Sequence, residues 1–195
     1  MRKADVLVSV IVVTYNQENT IARTLGSIIS QECHFRIEII IGEDDSTDRT
    51  RSICVKYQQQ YPEIIRLMPQ SPNKGVAKNY YDCILASKGK YIADCAGDDF
   101  WIDNHKLEKE VAIIDSDESI SLVHTNWNFY YENERQTLHN KYKYPDFTQK
   151  KNIGKRMLEA IMTQTDCPVI HLCTSLYRAS IIKSANREKP RTVLW

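Results

Sequence analysis

Glycine-rich phosphate loops are missing from this sequence. Its six glycines are scattered, and neither a G-x-G-x-x-G pattern nor a Walker sequence occurs. Apolar runs are short, since none approaches the roughly 18 residues that a membrane-spanning helix requires. The N-terminus leads directly into a predicted strand without a signal-peptide pattern. We therefore expect no Rossmann or P-loop nucleotide site, no leader and no transmembrane segment.

Charge and cysteine usage exclude further classes of protein. The formal net charge is +1, so no global field attracts nucleic acid or an anionic membrane. Six cysteines are present without a Cys-x-x-Cys pair, and most lie within apolar runs. We interpret them as reduced core residues of an intracellular protein rather than as disulfides or zinc ligands. A length of 195 residues fits one domain with its own core.

Strand and helix patterns alternate along the chain. Continuous β-branched runs are typical of parallel strands buried on both faces, and apolar residues at helical spacing follow them. Asn16 and Ser46 are predicted to cap the first two helices, of which the first covers residues 17–31 and the second ends near residue 60. This order predicts an α/β fold, with a mostly parallel, doubly wound sheet and helices on both faces. The predicted strands are residues 6–13, 37–41, 64–68, 91–95, 121–129 and 169–177; the other predicted helices are residues 76–87, 106–114, 155–163 and 179–186, with a hairpin or long loop at 130–151.

Three polar clusters stand where predicted strands end. They are residues 14–16, residues 43–45, and the Asp98 and Asp99 pair. Two adjacent carboxylates in isolation are usually a solvated loop, but ligands of doubly wound sheets bind beyond the carboxyl ends of the strands. Because no glycine-rich loop is available, such a sheet would have to hold phosphates through a metal, and Mn²⁺ and Mg²⁺ prefer oxygen ligands.

Five stretches together resemble one enzyme family. They are VSVIVVTYN at 8–16, EIIIGEDDSTD at 38–48, NKG at 73–75 with Asn79, KGKYI at 88–92, and GDDFW at 97–101. In order and spacing the chain resembles the family 2 inverting glycosyltransferases of GT-A fold, from residue 6 to about residue 125. The resemblance implies transfer of a sugar from a nucleoside diphosphate donor, commonly UDP-linked, to an acceptor hydroxyl. It also implies a single domain over residues 1–195, with a nucleotide-sugar-binding half at 1–100 and an acceptor-side half at 101–195.

Roles for individual residues follow from the resemblance only where the motifs match. Tyr15 would lie against the base and Asp44 would accept a hydrogen bond from it. Asp98 would lie near the ribose, and Asp99 would ligate Mn²⁺ or Mg²⁺ that bridges the diphosphate. Glu43 stands where the family usually has Asp, and Ala96 where an acid often stands. The remaining residues expected at the donor pocket are Thr14, Asn16, Glu43, Asn73 and Lys78.

Inversion needs a carboxylate base that takes the acceptor's proton. The resemblance implies that this acid follows the last predicted strand, beyond residue 185. Only Glu188 stands there before the sequence ends at Trp195, and Asp166 is the nearest other acid. We therefore expect the base to lie beyond Trp195 and the chain to be a catalytic domain truncated at its C-terminus.

Two histidines raise the question of a metal site. His124 and His171 lie in apolar strand patterns, and neither has ligand spacing to another histidine or cysteine. This arrangement favours packed strand histidines over metal ligands.

Three functional hypotheses stay open at this point. The first is a metal-dependent glycosyltransferase of cell-surface polysaccharide biosynthesis, acting on a glycan or lipid-linked glycan in the cytoplasm or peripherally at the inner face of the membrane. The second is a domain that binds UDP or a UDP-sugar without turnover. The third is a doubly wound phospho-acceptor or phosphatase domain. The third is disfavoured because Thr14, Tyr15 and Asn16 stand where its key acid would end the first strand.

Overall fold

The computed structural model describes residues 5–139 and 171–185. Strands and helices alternate along most of this length, as the sequence pattern predicts. A 3₁₀ turn at Leu172–Thr174 precedes the last strand. The elements are β1 (Val6–Thr14), α1 (Ile21–Ile29), β2 (Arg36–Glu43), α2 (Thr50–Gln60), β3 (Ile65–Leu67), α3 (Val76–Ala86), β4 (Tyr91–Asp94), α4 (Lys106–Asp115), β5 (Leu122–His124), β6 (Asn128–Tyr131), β7 (Gln136–His139), β8 (Ser175–Arg178) and α5 (Ala179–Ala185).

Six strands form one twisted sheet in the order β3-β2-β1-β4-β8-β5. Strand β1 is parallel to β2 on one side and to β4 on the other, and β3 is parallel to β2. Strand β8 is antiparallel to both of its neighbours. The prediction of a mostly parallel, doubly wound sheet is confirmed. Because the order reverses at β1, the carboxyl ends of β1, β2 and β4 open a crevice of the kind that binds ligands in such sheets.

Helices cover both faces of the sheet, because the central strands are apolar on both sides. On one face Val8, Val10 and Val12 of β1 pack against α1, α2 and α4. On the other face Ile11 packs with Ile40 and Ile92 against α3 and α5. Side chains alternate between the faces of a strand, so a continuous β-branched run satisfies both cores at once.

The first two predicted helix starts and their caps are wrong. Helix α1 begins at Ile21 rather than at residue 17, and its N-cap is Thr20. Asn16 instead has a positive φ of 52°. The N-cap of α2 is Arg49, while the Ser46 hydroxyl accepts a hydrogen bond from the Asn16 N–H. Both predicted caps are wrong because the Ser46 and Asn16 side chains join the loop after β1 to the loop after β2, and neither bonds to the start of a helix.

The fifth and last predicted strands also differ from the structure. The run at 121–129 is divided, because β5 ends at His124 and β6 pairs with β7 in a separate two-stranded sheet. This hairpin begins before the loop region predicted at 130–151 and extends into it. The last strand begins at Ser175 instead of residue 169. The predicted helix at 155–163 lies outside the described residues.

Burial supports the interpretation of the cysteines as core residues. Cys54, Cys83 and Cys95 are buried with free thiols, and Cys33 and Cys173 are free and half-buried, while Cys167 lies outside the described residues. Among the described residues, no helix is long and apolar enough to cross a membrane.

Candidate functional site

A cavity of about 350 Å³ opens at the carboxyl ends of β1 and β2. This volume is at the lower end of the range for small-molecule pockets. Four of the residues predicted at the donor site line it, namely Thr14, Tyr15, Asp44 and Asn73. The other lining residues are Val13, Gln17, Gly75, Val76, Asn79 and Ala96. Every lining residue therefore lies within the first hundred residues of the chain.

Asp44 holds one wall of the cavity. Its side chain is buried, and its two carboxylate oxygens accept hydrogen bonds from the backbone N–H groups of Lys74 (3.0 Å) and Gly75 (2.9 Å). Asn73 donates from its side-chain amide to the Asp44 backbone carbonyl at 2.8 Å. Gly75 has a φ of +82°, a conformation that glycine adopts without strain. The sequence placed Asp44 in the pocket but did not reveal that it fixes the loop before α3.

Two other predicted residues support the cavity from outside its lining. Glu43 is buried, with one oxygen accepting the Ser46 N–H at 2.6 Å and the other paired with Arg51 at 2.9 Å. Asn16 is exposed and accepts the Thr47 N–H at 2.8 Å. Both side chains therefore fix the turn after β2 and do not face the ligand space.

Lys78 is exposed and paired with Asp82 one turn along α3, at 3.2 Å. Like Glu43 and Asn16, it does not line the cavity. Its ammonium group belongs to the outer surface of α3.

The two adjacent carboxylates follow the cavity-lining Ala96. Asp98 is exposed and Asp99 is half-buried. Burial raises the pKa of Asp99, and the charge of Asp98 raises it further, against the lowering effects of Cys173 and His171. A divalent cation beside Asp99 would offset this crowding of negative charge.

The oxygen ligands at this position fit Mn²⁺ or Mg²⁺ only in part. Among the described residues there is no group of three or more His, Cys, Asp or Glu side chains that could enclose a metal. Magnesium commonly binds through one or two carboxylates and completes its shell with water and substrate phosphates. Asp99 therefore fits a cation that reaches the protein together with a diphosphate.

Residues 97–101, which we call the acidic loop, meet residues on their opposite side that are distant in sequence. The Trp101 indole N–H donates to the Cys173 carbonyl at 2.8 Å. His171 is close enough to Asp99 to lower its pKa, and its ring lies 4.2 Å from the Trp127 ring. The interpretation of His171 as a packed strand histidine missed this placement, because His171 precedes the strand and faces the loop. No local pattern could have paired residues 72 positions apart.

The hairpin of β6 and β7 is attached beside the same loop. The Arg23 guanidinium lies 4.2 Å from the centre of the Phe100 ring and 4.9 Å from that of Tyr130. Arg23 also forms an ion pair with Glu132 in the turn between β6 and β7. Phe129 and Tyr131 are about half exposed on the hairpin, so aromatic surface remains open beside the acidic loop.

The position of the catalytic base stays a prediction. The candidates Asp166 and Glu188 lie outside the described residues, and so does Trp195, beyond which we expect the base. The described part of the chain ends with α5 at residue 185, before the stretch in which the family resemblance places this acid.

A family model described as glycosyl transferase family 2 matches residues 9–185. The chain belongs to this family. An uncharacterized protein of Mycobacterium tuberculosis is 39% identical over 107 residues, which cover 55% of this chain and 31% of that protein. WfgD of Escherichia coli, named as a UDP-Glc:alpha-D-GlcNAc-diphosphoundecaprenol beta-1,3-glucosyltransferase, is 31% identical over 123 residues, covering 63% of this chain and 46% of that protein. The matched part thus spans less than half the length of either relative.

Solved structures show the same fold. Staphylococcus aureus TarS 1–349 in complex with UDP-GlcNAc superposes with a TM-score of 0.66 at 23% identity, covering 92% of this chain and 47% of that one. The Pyrobaculum calidifontis mannosyltransferase PcManGT in complex with GDP-Man and Mn²⁺ gives 0.65 at 16% identity, covering 94% and 47%. The predicted GT-A fold and family resemblance are confirmed. The third hypothesis, a phospho-acceptor or phosphatase domain, is set aside.

Proposed function

We propose that this glycosyltransferase-family chain binds a nucleoside diphosphate sugar, with UDP as the nucleotide, for transfer of the sugar to an acceptor hydroxyl with inversion. One observation carries the proposal: the cavity at the ends of β1 and β2 is lined by Tyr15, Asp44 and Ala96, and the Asp98 and Asp99 pair follows Ala96 closely along the chain without lining the cavity. We propose that the base binds in the cavity and that the cation and diphosphate bind beside the acid pair.

The cavity offers both a face and an acceptor for a base. Tyr15 is about half exposed, so its ring can lie against a flat ligand. Each oxygen of Asp44 accepts one backbone N–H, and a carboxylate has about four lone-pair positions. Asp44 therefore has lone pairs left that can accept a hydrogen bond from the imide N–H of uracil. The names of WfgD and the TarS complex include UDP-sugars, whereas that of PcManGT includes GDP-Man, so the choice of uracil rests on Asp44.

Asp98 and Asp99 have different tasks in this proposal. Exposed Asp98 accepts hydrogen bonds from the ribose, and half-buried Asp99 holds Mn²⁺ or Mg²⁺ through an oxygen. When bound, the cation stabilises the negative charge that gathers on the departing nucleoside diphosphate. The PcManGT complex contains Mn²⁺, which supports a divalent cation at this position.

The acceptor side of the proposal rests on fewer residues. Inverting transfer needs a carboxylate to take the acceptor's proton. We propose that this base lies beyond Trp195, with Asp166 and Glu188 as the candidates within this sequence. We also propose a glycan or lipid-linked glycan acceptor, consistent with the diphosphoundecaprenol acceptor in the WfgD name. Such an acceptor implies cell-surface polysaccharide biosynthesis by a cytoplasmic protein associated with the inner face of the membrane.

Calorimetry with UDP tests the donor half of this function. We expect the wild type to bind UDP more tightly with Mn²⁺ than with EDTA, and Asp99→Asn to abolish that difference. Asp103→Asn is a matched control, because Asp103 is an acid in the same loop whose side chain pairs with Lys109 at 2.7 Å. Equal wild-type affinity in Mn²⁺ and EDTA would contradict the proposal.

A transfer assay separates the two remaining hypotheses. Wild-type chain and the Asp166→Asn and Glu188→Gln variants are incubated with UDP-sugars and glycan acceptors. Transfer that one variant abolishes would identify the base within the sequence and refute its placement beyond Trp195. Because the base is proposed to lie beyond Trp195, UDP binding without transfer is the expected result for residues 1–195. Transfer by a longer form of the protein that extends past Trp195 would then support the enzyme, and binding without transfer from that form would favour the non-catalytic, donor-binding alternative.

A further inference from the structure

One face of α1 and its ends carries four polar side chains at helical spacing. Thr20, Thr24, Ser27 and Gln31 are separated by four, three and four residues, so they stand above one another on the helix. We call them the polar stripe. The apolar residues Ile21, Leu25 and Ile28 of the same helix are fully buried and attach α1 to the core. The hydroxyl and amide groups of the polar stripe are therefore not needed for that attachment.

The N-terminal half of the polar stripe, Thr20 and Thr24, bonds to the backbone of the acidic loop. Thr20 donates from its hydroxyl to the Gly97 carbonyl at 2.8 Å. The Thr24 hydroxyl lies 2.6 Å from the Asp99 carbonyl and 3.0 Å from the Gly97 carbonyl. Thr24 is fully buried, so water does not compete for its hydroxyl.

The C-terminal half of the polar stripe, Ser27 and Gln31, bonds to the backbone that follows in sequence. The Trp101 N–H donates to the Ser27 hydroxyl at 3.1 Å. The Gln31 amide donates to the Asp103 carbonyl at 2.7 Å and accepts the Leu107 N–H at 3.0 Å. One helix therefore holds the chain at intervals from Gly97 to the first turn of α4, through side chains that bond to its backbone.

The acidic loop needs such support because it carries like charges on adjacent residues. Its other backbone bonds are from Gly97 N–H to the Val13 carbonyl at 3.0 Å and from Asp99 N–H to the Ala96 carbonyl at 2.9 Å. The Asp99 carbonyl accepts from the Thr24 hydroxyl at 2.6 Å and, over a longer distance of 3.6 Å, from the Cys95 thiol. A carboxylate that is already in place when the ligand arrives does not have to be ordered at the cost of binding energy.

We infer that Thr24 is a positioning residue for Asp99: through the Asp99 carbonyl it fixes the carboxylate at the place where the cation and diphosphate bind. The inference rests on the proposed function, because it assumes that Asp99 serves a metal-dependent nucleotide site. Thr24 is fully buried and its hydroxyl bonds to backbone carbonyls, so it does not touch the ligand and is not a catalytic residue. Its effect must appear as a change in metal dependence and not as a lost ligand contact.

The test compares Thr24→Val, which keeps the shape of the side chain but removes the hydroxyl, with Thr24→Ser, which keeps the hydroxyl. UDP affinity is measured by calorimetry in Mn²⁺ and in EDTA, together with the melting temperature. One hydrogen bond contributes roughly 0.5–1.5 kcal/mol. We therefore expect Thr24→Val to weaken Mn²⁺-dependent UDP binding about two- to thirteenfold with EDTA affinity unchanged, and Thr24→Ser to stay within about twofold of wild type.

Ser9→Ala is the matched control for loss of a buried hydroxyl. The Ser9 hydroxyl bonds to Glu38 at 2.6 Å and accepts the Gly89 N–H at 2.8 Å, nearer the start of β1 and away from the cavity. We expect this variant to melt at a lower temperature than wild type and to keep its Mn²⁺ dependence. The comparison separates a general loss of stability from misplacement of Asp99.

Two results would overturn the inference: Thr24→Val with unchanged Mn²⁺ dependence, or Thr24→Val with affinity lowered equally in Mn²⁺ and EDTA. If Thr24→Val does not fold, Thr24→Ala removes the same hydroxyl, and either of the two results in that variant would overturn the inference as well. Failure of the wild type to bind UDP would instead refute the proposed function. If the wild type binds UDP more tightly with Mn²⁺ and the Thr24 variants keep that Mn²⁺ dependence, only the positioning role is refuted.

Discussion

Asp94 provides a stability prediction with a defined sign. It lies at the end of β4 and is 3% exposed. Among the described residues, neither of its carboxylate oxygens has a hydrogen-bond partner. The nearby hydroxyls of Tyr80 and Tyr177 bond to each other at 2.7 Å. Burial raises the pKa of Asp94 from 3.8 to about 7, because it outweighs the lowering effects of Tyr80, Tyr177 and Lys106.

The raised pKa makes folding less favourable as pH rises. Between pH 3.8 and about 7 the folded chain retains a proton on Asp94 that the unfolded chain has released. Each pH unit in this interval costs about 1.4 kcal/mol of the free energy of unfolding. The interval therefore corresponds to about 4 kcal/mol in all, of which about 3 kcal/mol falls between pH 5 and the end of the loss near pH 7.

Asp94→Asn removes this loss, because the amide has a similar shape and does not ionise. Relative to wild type, the variant should gain about 3 kcal/mol of unfolding free energy between pH 5 and pH 8. Urea unfolding followed by circular dichroism at both pH values measures the difference. The pKa of Glu110 is also raised to about 7 by burial. Because Glu110 is present in both proteins, its contribution to the pH dependence cancels in the difference between their unfolding free energies.

Asp82→Asn is the control for the Asp94 experiment. The Lys74 ammonium holds the pKa of Asp82 below its ordinary value, so this carboxylate is ionised at both pH 5 and pH 8. Its removal should change stability by the same amount at the two pH values. If Asp94→Asn behaves in that way too, Asp94 is charged in the folded protein and the reasoning from its burial is refuted.

Two further predictions concern the cavity itself. Gly97→Ala should destabilise the fold by about 1–3 kcal/mol and weaken UDP binding, because the added Cβ would meet the Gln17 side chain and lie 2.6 Å from the Thr14 hydroxyl. An unchanged melting temperature together with an unchanged UDP affinity by calorimetry would contradict this prediction. Asp44→Ala should weaken UDP binding and narrow the gap between UDP and CDP, because cytosine presents a ring-nitrogen lone pair, and not an N–H, to the Asp44 carboxylate. An unchanged UDP-to-CDP ratio of affinities by calorimetry would limit Asp44 to holding the backbone of Lys74 and Gly75.

Most strands and helices, and the end of the sheet where the site lies, follow from the amino-acid pattern alone. The run from Val6 to Thr14 is rich in β-branched residues, which suits a strand with a core on each face. Helix α1 shows its buried side through Ile21, Leu25 and Ile28. Since the central strands are parallel, the polar residues that follow them necessarily meet at one edge. These features depend on neighbours within a few residues, and a sequence displays such neighbours directly.

The contacts of the polar side chains at that edge depend instead on how distant segments of the chain pack together. Asp44 meets the backbone of Lys74 and Gly75, about thirty residues away, and Thr24 meets the Asp99 carbonyl 75 residues away. The spacing of the polar stripe is visible in the sequence, but its partners are backbone groups, which are the same in every residue. Such contacts carry no signature of their own, and they exist only because packing of the two cores brings α1 against the loop after β4.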